Sequence, residues 1–310
     1  MSASLLRFFT FFRFPSFFRT HLAIRGAIVF TLGAAMLSAQ NDDFEKAVER
    51  YRTKNYGDAQ PIFEKIVADD PQNARAVFYL GALALRRDDL PEAVKQLELA
   101  AHLDPTSGRY QNELGNAYGM SAQHASLLSK LGLAKKCLAA YQRAVALEPD
   151  NISYRLSVMN YYVQAPRLAG GGIEKAYVAA EEVRARDPRQ GGFAIVMLHI
   201  GQKRWPQAFA EMDNLQRTHP DDLELAYTLA RLSAASTQQL DRGEKALSFY
   251  LSHPPKRGLP NHAQAHALLG EIREKAGDPE GAKSAYRAAV SLDAHFAAAR
   301  QALERLESTR

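Results

Sequence analysis

Two histidines four residues apart, His262 and His266 in "NHAQAHALLGE", come closest in this 310-residue chain to a metal-binding arrangement. A four-residue step sets both rings on one face of a helix. Zinc normally takes at least three protein ligands, so His253 or His295 would have to join them. The other reading has Asn261 capping a helix, His262 in its exposed first turn and His266 filling an aromatic packing slot. The single cysteine, Cys137, forbids an intrachain disulfide and any CxxC pair. It stands on an apolar helix face, which marks a packing position rather than a reactive thiol. HExxH, GxSxG, Walker A and GxGxxG sequences are absent, so no catalytic residue, cofactor or metal is assigned.

A repeat positions these residues. The anchors "DDPQ", "LDPT", "LEPD", "RDPR", "THPD" and "HPPK" fall at Pro71, Pro105, Pro149, Pro188, Pro220 and Pro255, and Ala294 closes the series in "LDAH". Their spacings are 34, 44, 39, 32, 35 and 39 residues, a 34-residue period with insertions. In residues 74–107, Val77, Leu80, Leu83 and Ala84 recur at helical spacing, "RRDDLP" supplies a turn, and Ala93, Leu97 and Ala100 recur again. Each unit is therefore expected to be two antiparallel helices, with proline stopping the second. Small residues at Gly81, Ala93 and Ala100 let the two backbones approach, as do Gly115, Cys137 and Ala144, and Gly270, Ala282 and Ala289.

On these residues the chain resembles the tetratricopeptide repeat family over residues 41–310, most closely in the second, third and seventh units. The fourth unit departs with Met159 where a small residue is expected, and the fifth, "RQGGFAIVMLHIGQKRW", is truncated. The resemblance implies an all-α fold: a right-handed superhelical solenoid of about seven antiparallel helix pairs over residues 40–296. A capping helix at 297–310 would close it, with Phe296, Ala299, Ala302, Leu303 and Leu306 on one apolar face. It also implies a non-enzymatic scaffold that binds a protein or peptide in its concave groove. The family's groove positions map onto Arg75, Phe78, Arg109, Asn112, Asn116, Leu156, Asn160, Tyr227 and Arg231, where Asn112 and Asn116 could grip a peptide backbone. The basic clamp of some members is not matched, because Glu45 and Glu49 occupy its first positions.

The third and fourth units carry extra residues at the same point, between their two helices, at 119–132 and 164–173. "GMSAQHASLLSKLG" holds Met120, Leu127, Leu128 and Leu131 at near-helical spacing and is expected to lengthen the unit's first helix by two to three turns. "APRLAGGG" cannot be helical throughout. One reading makes this edge a small-ligand or glycan site around His124, Lys130, Gly170, Gly171 and Gly172. The other has Leu127 and Leu128 buried against the loop, with the glycines serving the backbone. "AKKC" at 134–137 and "APRLAGGG" at 165–172 are also similar to a group of exported bacterial repeat proteins, a likeness that implies no activity.

The net charge of +5 and pI near 9.2 would suggest an anionic partner. Arg7, Arg13, Arg19 and Arg25 all precede the first acid, Asp42, however, and without them 35 basic residues face 34 acidic ones. No nucleic-acid footprint is left. Residues 1–39 read as a signal peptide, a basic Phe-rich start followed by "GAIVFTLGAAMLSA", with cleavage after Ala39 or Ala35. That apolar run is shorter than the ~20 residues of a membrane span, and an uncleaved signal anchor is the alternative. Export, without disulfides, to a bacterial periplasm is expected.

Overall fold

A computed structural model describes residues 41–308, so the expected signal segment lies outside the described residues. Among the described residues there are fifteen α-helices and no strand. They form two compact units that divide at Ala117 and Tyr118, inside the fifth helix.

The first unit holds α1 (41–52), α2 (Tyr56–Asp69), α3 (Ala74–Arg86), α4 (Leu90–Leu103) and the first part of α5 (Gly108–His124). Local chemistry sets the starts of its helices. Asn73 accepts the Ala76 N–H at 3.1 Å to open α3, and Asp89 accepts that of Glu92 at 3.3 Å to open α4. The apolar stripes then pair the helices around Phe63, Phe78, Leu83 and Leu97, all fully or almost fully buried. Each such side chain contributes roughly 1.5–3 kcal/mol relative to exposure. Gly81 is needed at the α3–α4 crossing, because a Cβ there would lie 2.7 Å from Leu97 Cγ.

The second unit continues with α6 (Leu127–Leu147), α7 (Ile152–Gln164), a 3-10 turn (Arg167–Ala169), α8 (Ile173–Arg184), α9 (Pro188–Gly201) and α10 (Trp205–Thr218). It ends with α11 (Leu223–Ser236), α12 (Leu240–Leu251), α13 (His262–Lys275), α14 (Pro279–Leu292) and α15 (Ala297–Ser308). From α6 onward each α-helix packs on its successor, and α11 also touches α13. Met159, large where a small residue is expected, is buried beside Ile195 and among Ala176, Ala180 and Ala194, whose small side chains make room for it. At Pro188 the proline opens a helix instead of following one. Asp187 caps α9 by accepting the Gln190 N–H at 2.8 Å, which shortens the connection from α8.

The third unit's extra residues do not mainly lengthen its first helix. α5 ends at His124 after 17 residues, and α6 runs for 21, against 14 in α4. The surplus therefore adds about two turns to the start of the second helix. Ser126 makes the break: its backbone is extended (φ −61°, ψ 159°), its C=O accepts the Lys130 N–H at 2.7 Å, and its hydroxyl meets that of Ser129 at 3.2 Å. Leu127 and Leu128 are not buried against the glycine loop either. They are 75% and 85% exposed.

Candidate functional site

In the second unit a groove of about 790 Å³ opens between α11, α13 and α15. Helical spacing supplies its walls. Tyr227 and Arg231 stand one turn apart on α11; Gln264, Leu268, Glu271 and Lys275 follow along one face of α13; Ala298, Ala302 and Arg305 line α15. The apolar face of the last helix splits its duty. Leu303 and Leu306 close over Ala282, Tyr286 and Ala289; Ala302 packs on the same cluster and also borders the groove, and the exposed Ala298 is left to the groove.

The charges in this groove are nearly all answered from within. Glu274 accepts the Tyr286 hydroxyl at 2.7 Å and pairs with Arg305 at 2.9 Å. The Arg305 hydrogen bond chiefly holds its carboxyl below the usual range, while burial and donation to Glu274 push Tyr286 far up. Lys275 bonds Glu271 at 2.7 Å and the Ala234 carbonyl in the last turn of α11, also at 2.7 Å. Arg231 is exposed and makes no hydrogen bond or ion pair among the described residues. Two carboxylates thus face three cations, and the surplus positive charge sits beside the apolar walls. Such a surface suits an extended segment carrying an acid and small apolar side chains.

The other expected groove residues are placed differently. Phe78 is a correction: it is 2% exposed, stacked on Tyr110 at 4.7 Å and roofed by the Arg109 guanidinium at 4.4 Å, so it is core. Arg75 lies over Phe44 at 3.9 Å and pairs with Glu45 at 3.0 Å. Asn116 donates to Glu113 at 3.0 Å, and Asn112 turns its Oδ1 into the protein, where it has no partner. Leu156 is half-buried, packed on the α7–α9 core, and Asn160 is exposed on α7. Of the expected set, Tyr227 and Arg231 enter the groove described above. The contributions of α13 and α15 were missed, although Gln264 and Leu268 repeat on α13 the four-residue spacing of Tyr227 and Arg231.

At the inserted edge, His124 and Lys130 are exposed on either side of the Ser126 break. The glycines answer backbone needs: Gly170 and Gly172 have φ of +93° and +155°, and a Cβ on Gly171 would fall 1.8 Å from the Ala165 carbonyl oxygen. Tyr161 donates to the Ala169 carbonyl at 2.6 Å, Lys175 to that of Gly170 at 2.8 Å, and the Gly172 N–H to that of Tyr162 at 2.8 Å.

Cys137 is buried beside Gly119, and burial pushes its thiol up to about 11, so it stays protonated. Asn261 and Gln264 form a capping box on α13, and His262 Nε2 lies 2.9 Å from the His253 carbonyl. Among the described residues no three His, Cys, Asp or Glu side chains gather as metal ligands.

His266 and His199 are both held below their ordinary value, first by burial, then by His262 and Arg273 around His266 and by Arg204 beside His199. The unfolded chain takes up these protons more readily, so their contribution is full above about pH 6.5 and is lost as pH falls through the folded values. Denaturant titrations at about pH 7.5 and 5.5 are expected to give lower stability at the acidic point, with a smaller drop in His266→Leu.

Two tetratricopeptide repeat family models match the chain, at residues 44–108 and 263–296. A tetratricopeptide repeat protein from Parabacteroides merdae superposes with a TM-score of 0.59 at 14% identity, covering 86% of this chain and 98% of its own. The Cut9–Hcn1 hetero-tetramer of the APC/C gives 0.52 at 15% identity, over 84% of this chain and 48% of that one. Cellulose synthase operon protein C of Xanthomonas axonopodis pv. citri is 34% identical over 143 residues, which is 44% of this chain and 9% of that protein. Repeats of this kind serve in general as scaffolds for protein interaction. Paired helices crossing at Gly81 and Gly270 and the family matches at 44–108 and 263–296 show tetratricopeptide repeats in this chain, and the helical-repeat fold is shared along most of it.

Proposed function

We propose that the protein is an exported bacterial scaffold without chemistry of its own, which binds an extended acidic segment of a partner protein in the groove between α11, α13 and α15. The observation that carries this reading is Arg231, a cation without an internal partner above a wall of Leu268, Ala298 and Ala302. The basic and apolar composition of residues 1–39 supports export, and the partial likeness to a Xanthomonas protein supports a bacterial source. Among the described residues no helix is long and apolar enough to cross a membrane. The test is capture of proteins from envelope extract by the full chain and by Tyr227→Ala/Arg231→Ala. Loss of a specific partner with helicity unchanged supports the groove, and equal capture removes it.

A small-ligand reading of the inserted edge is favoured by one feature, a cleft of about 440 Å³ between α6, α7 and α8. Val145, Val158, Tyr162 and Val178 line it, and Arg155 and Glu182 pair at 3.0 Å on its rim. Lys175 joins this cleft to the glycine loop. Under this reading Val178→Arg, at a position 61% exposed, fills the cleft and abolishes any glycan-induced rise in melting temperature. A rise that survives the substitution removes the cleft as the site.

A further inference from the structure

The three most exposed large apolar side chains of the described chain are Leu128 (85%), Leu168 (83%) and Leu127 (75%). A single exposed leucine is ordinary. These three belong to the two insertions, at the helix-to-helix connections of adjacent units, where the regular repeat has a short polar turn. The Ser126 break starts α6 with two consecutive leucines. About two turns of α6 precede Ala134, the first buried side chain of that helix. The 3-10 turn that carries Leu168 packs on α6 farther along, where a Cβ on Gly170 would lie 3.7 Å from Leu138.

The charge around these leucines is mainly positive, with Glu174 the acid beside the glycine loop. No acid occurs between Glu113 and Glu148, a stretch that contains Lys130, Lys135, Lys136 and Arg143. None occurs between Asp150 and Glu174, where Arg155 and Arg167 lie. Glu148 and Asp150 stand at the far end of α6, about 30 Å from Leu127 along a 21-residue helix. Glu174, in the first turn of α8, is the nearest acid in sequence to the glycine loop, and Lys175 adjoins it. Lys130, Lys135, Lys136 and Arg167 are exposed.

We propose that this edge docks on an anionic phospholipid surface, with Leu127, Leu128 and Leu168 entering the headgroup boundary and Lys130, Lys135, Lys136 and Arg167 facing lipid phosphates. Protruding apolar tips inside a mainly positive belt suit a fluid anionic interface, which offers apolar depth and negative charge without requiring a matching cavity. The docking is peripheral and independent of both the groove and the N-terminal segment.

The test reads the site itself. In the full chain, Leu128→Cys is labelled with the polarity-sensitive dye NBD, which Cys137 resists because it is buried and protonated. Vesicles mixing phosphatidylglycerol with phosphatidylcholine are expected to raise emission about threefold, and phosphatidylcholine alone to leave it nearly unchanged. High salt or Lys130→Glu/Lys135→Glu abolishes the rise by screening or reversing the belt. The same dye at Gln301, exposed on α15, stays unchanged. No rise at position 128 when the vesicles bind the protein through another segment overturns the proposal. So does an equal rise at 301, or a rise without lipid that grows with protein concentration, which assigns the tip to a second copy.

Discussion

Gly191→Ala is expected to lower the unfolding free energy by about 3 kcal/mol or more, whereas Gly201→Ala in the same helix leaves stability unchanged or raises it by up to about 1 kcal/mol. Alanine is the better helix former at both positions, so propensity alone predicts a gain at each. Packing decides the sign. A Cβ on Gly191 would lie 2.2 Å from the backbone N and Cα of Arg184, atoms fixed by the helical hydrogen bonds of α8. A Cβ on Gly201 meets nothing within 4 Å. At the crossing the overlap involves backbone, which no rotamer change relieves, so α8 and α9 must move apart and forfeit contacts around Ile195 and Ala180. Equilibrium denaturation of the two variants reads the difference. A neutral Gly191→Ala would mean that α8 and α9 do not approach so closely.

The second large effect concerns binding. Arg231→Glu is expected to weaken capture of the groove partner at least about tenfold, a change of about 1.4 kcal/mol, while leaving the melting temperature within a degree or two. Stability is spared because Arg231 has no internal partner to abandon, whereas the neighbouring charges do. Arg305→Glu, for comparison, would set a second carboxylate against Glu274 and loosen α15 as well as altering the groove. Gln301→Glu adds the same sign of charge elsewhere on α15, and it should leave capture unchanged. Titration of each variant against the captured protein separates these outcomes.

The repeat was legible because its physical requirement is local. A small residue must stand where two helices cross, and Gly81 under Leu97 and Gly270 under Tyr286 meet it, since a Cβ at either would lie 2.7 or 2.6 Å from those side chains. The α13 cap was legible for the same reason, since Asn261 and Gln264 are three residues apart. The third unit's insertion was misread because Met120, Leu127 and Leu131 keep helical spacing straight across a break. Periodicity shows which residues share a face, and it does not show where serine diverts the backbone. Phe78 was misplaced because a family position usually exposed is here covered by Tyr110 and Arg109, a stack invisible from either residue's own spacing. The groove was half legible. Tyr227 and Arg231 follow from the groove positions that the family resemblance implies, but the Tyr286, Glu274 and Arg305 chain depends on how the last helix docks, which is a tertiary fact.

Whether α11, α13 and α15 hold a partner's extended segment is read by placing a photoreactive benzoylphenylalanine at Ala298 in the full chain and irradiating living cells. Ala298 lies in the groove, and Gln301, three residues on, lies outside it. One discrete crosslinked protein is expected from position 298, lost in Arg231→Glu and absent from position 301. Crosslinks from 301 alone, or from both positions with no effect of Arg231→Glu, would contradict it.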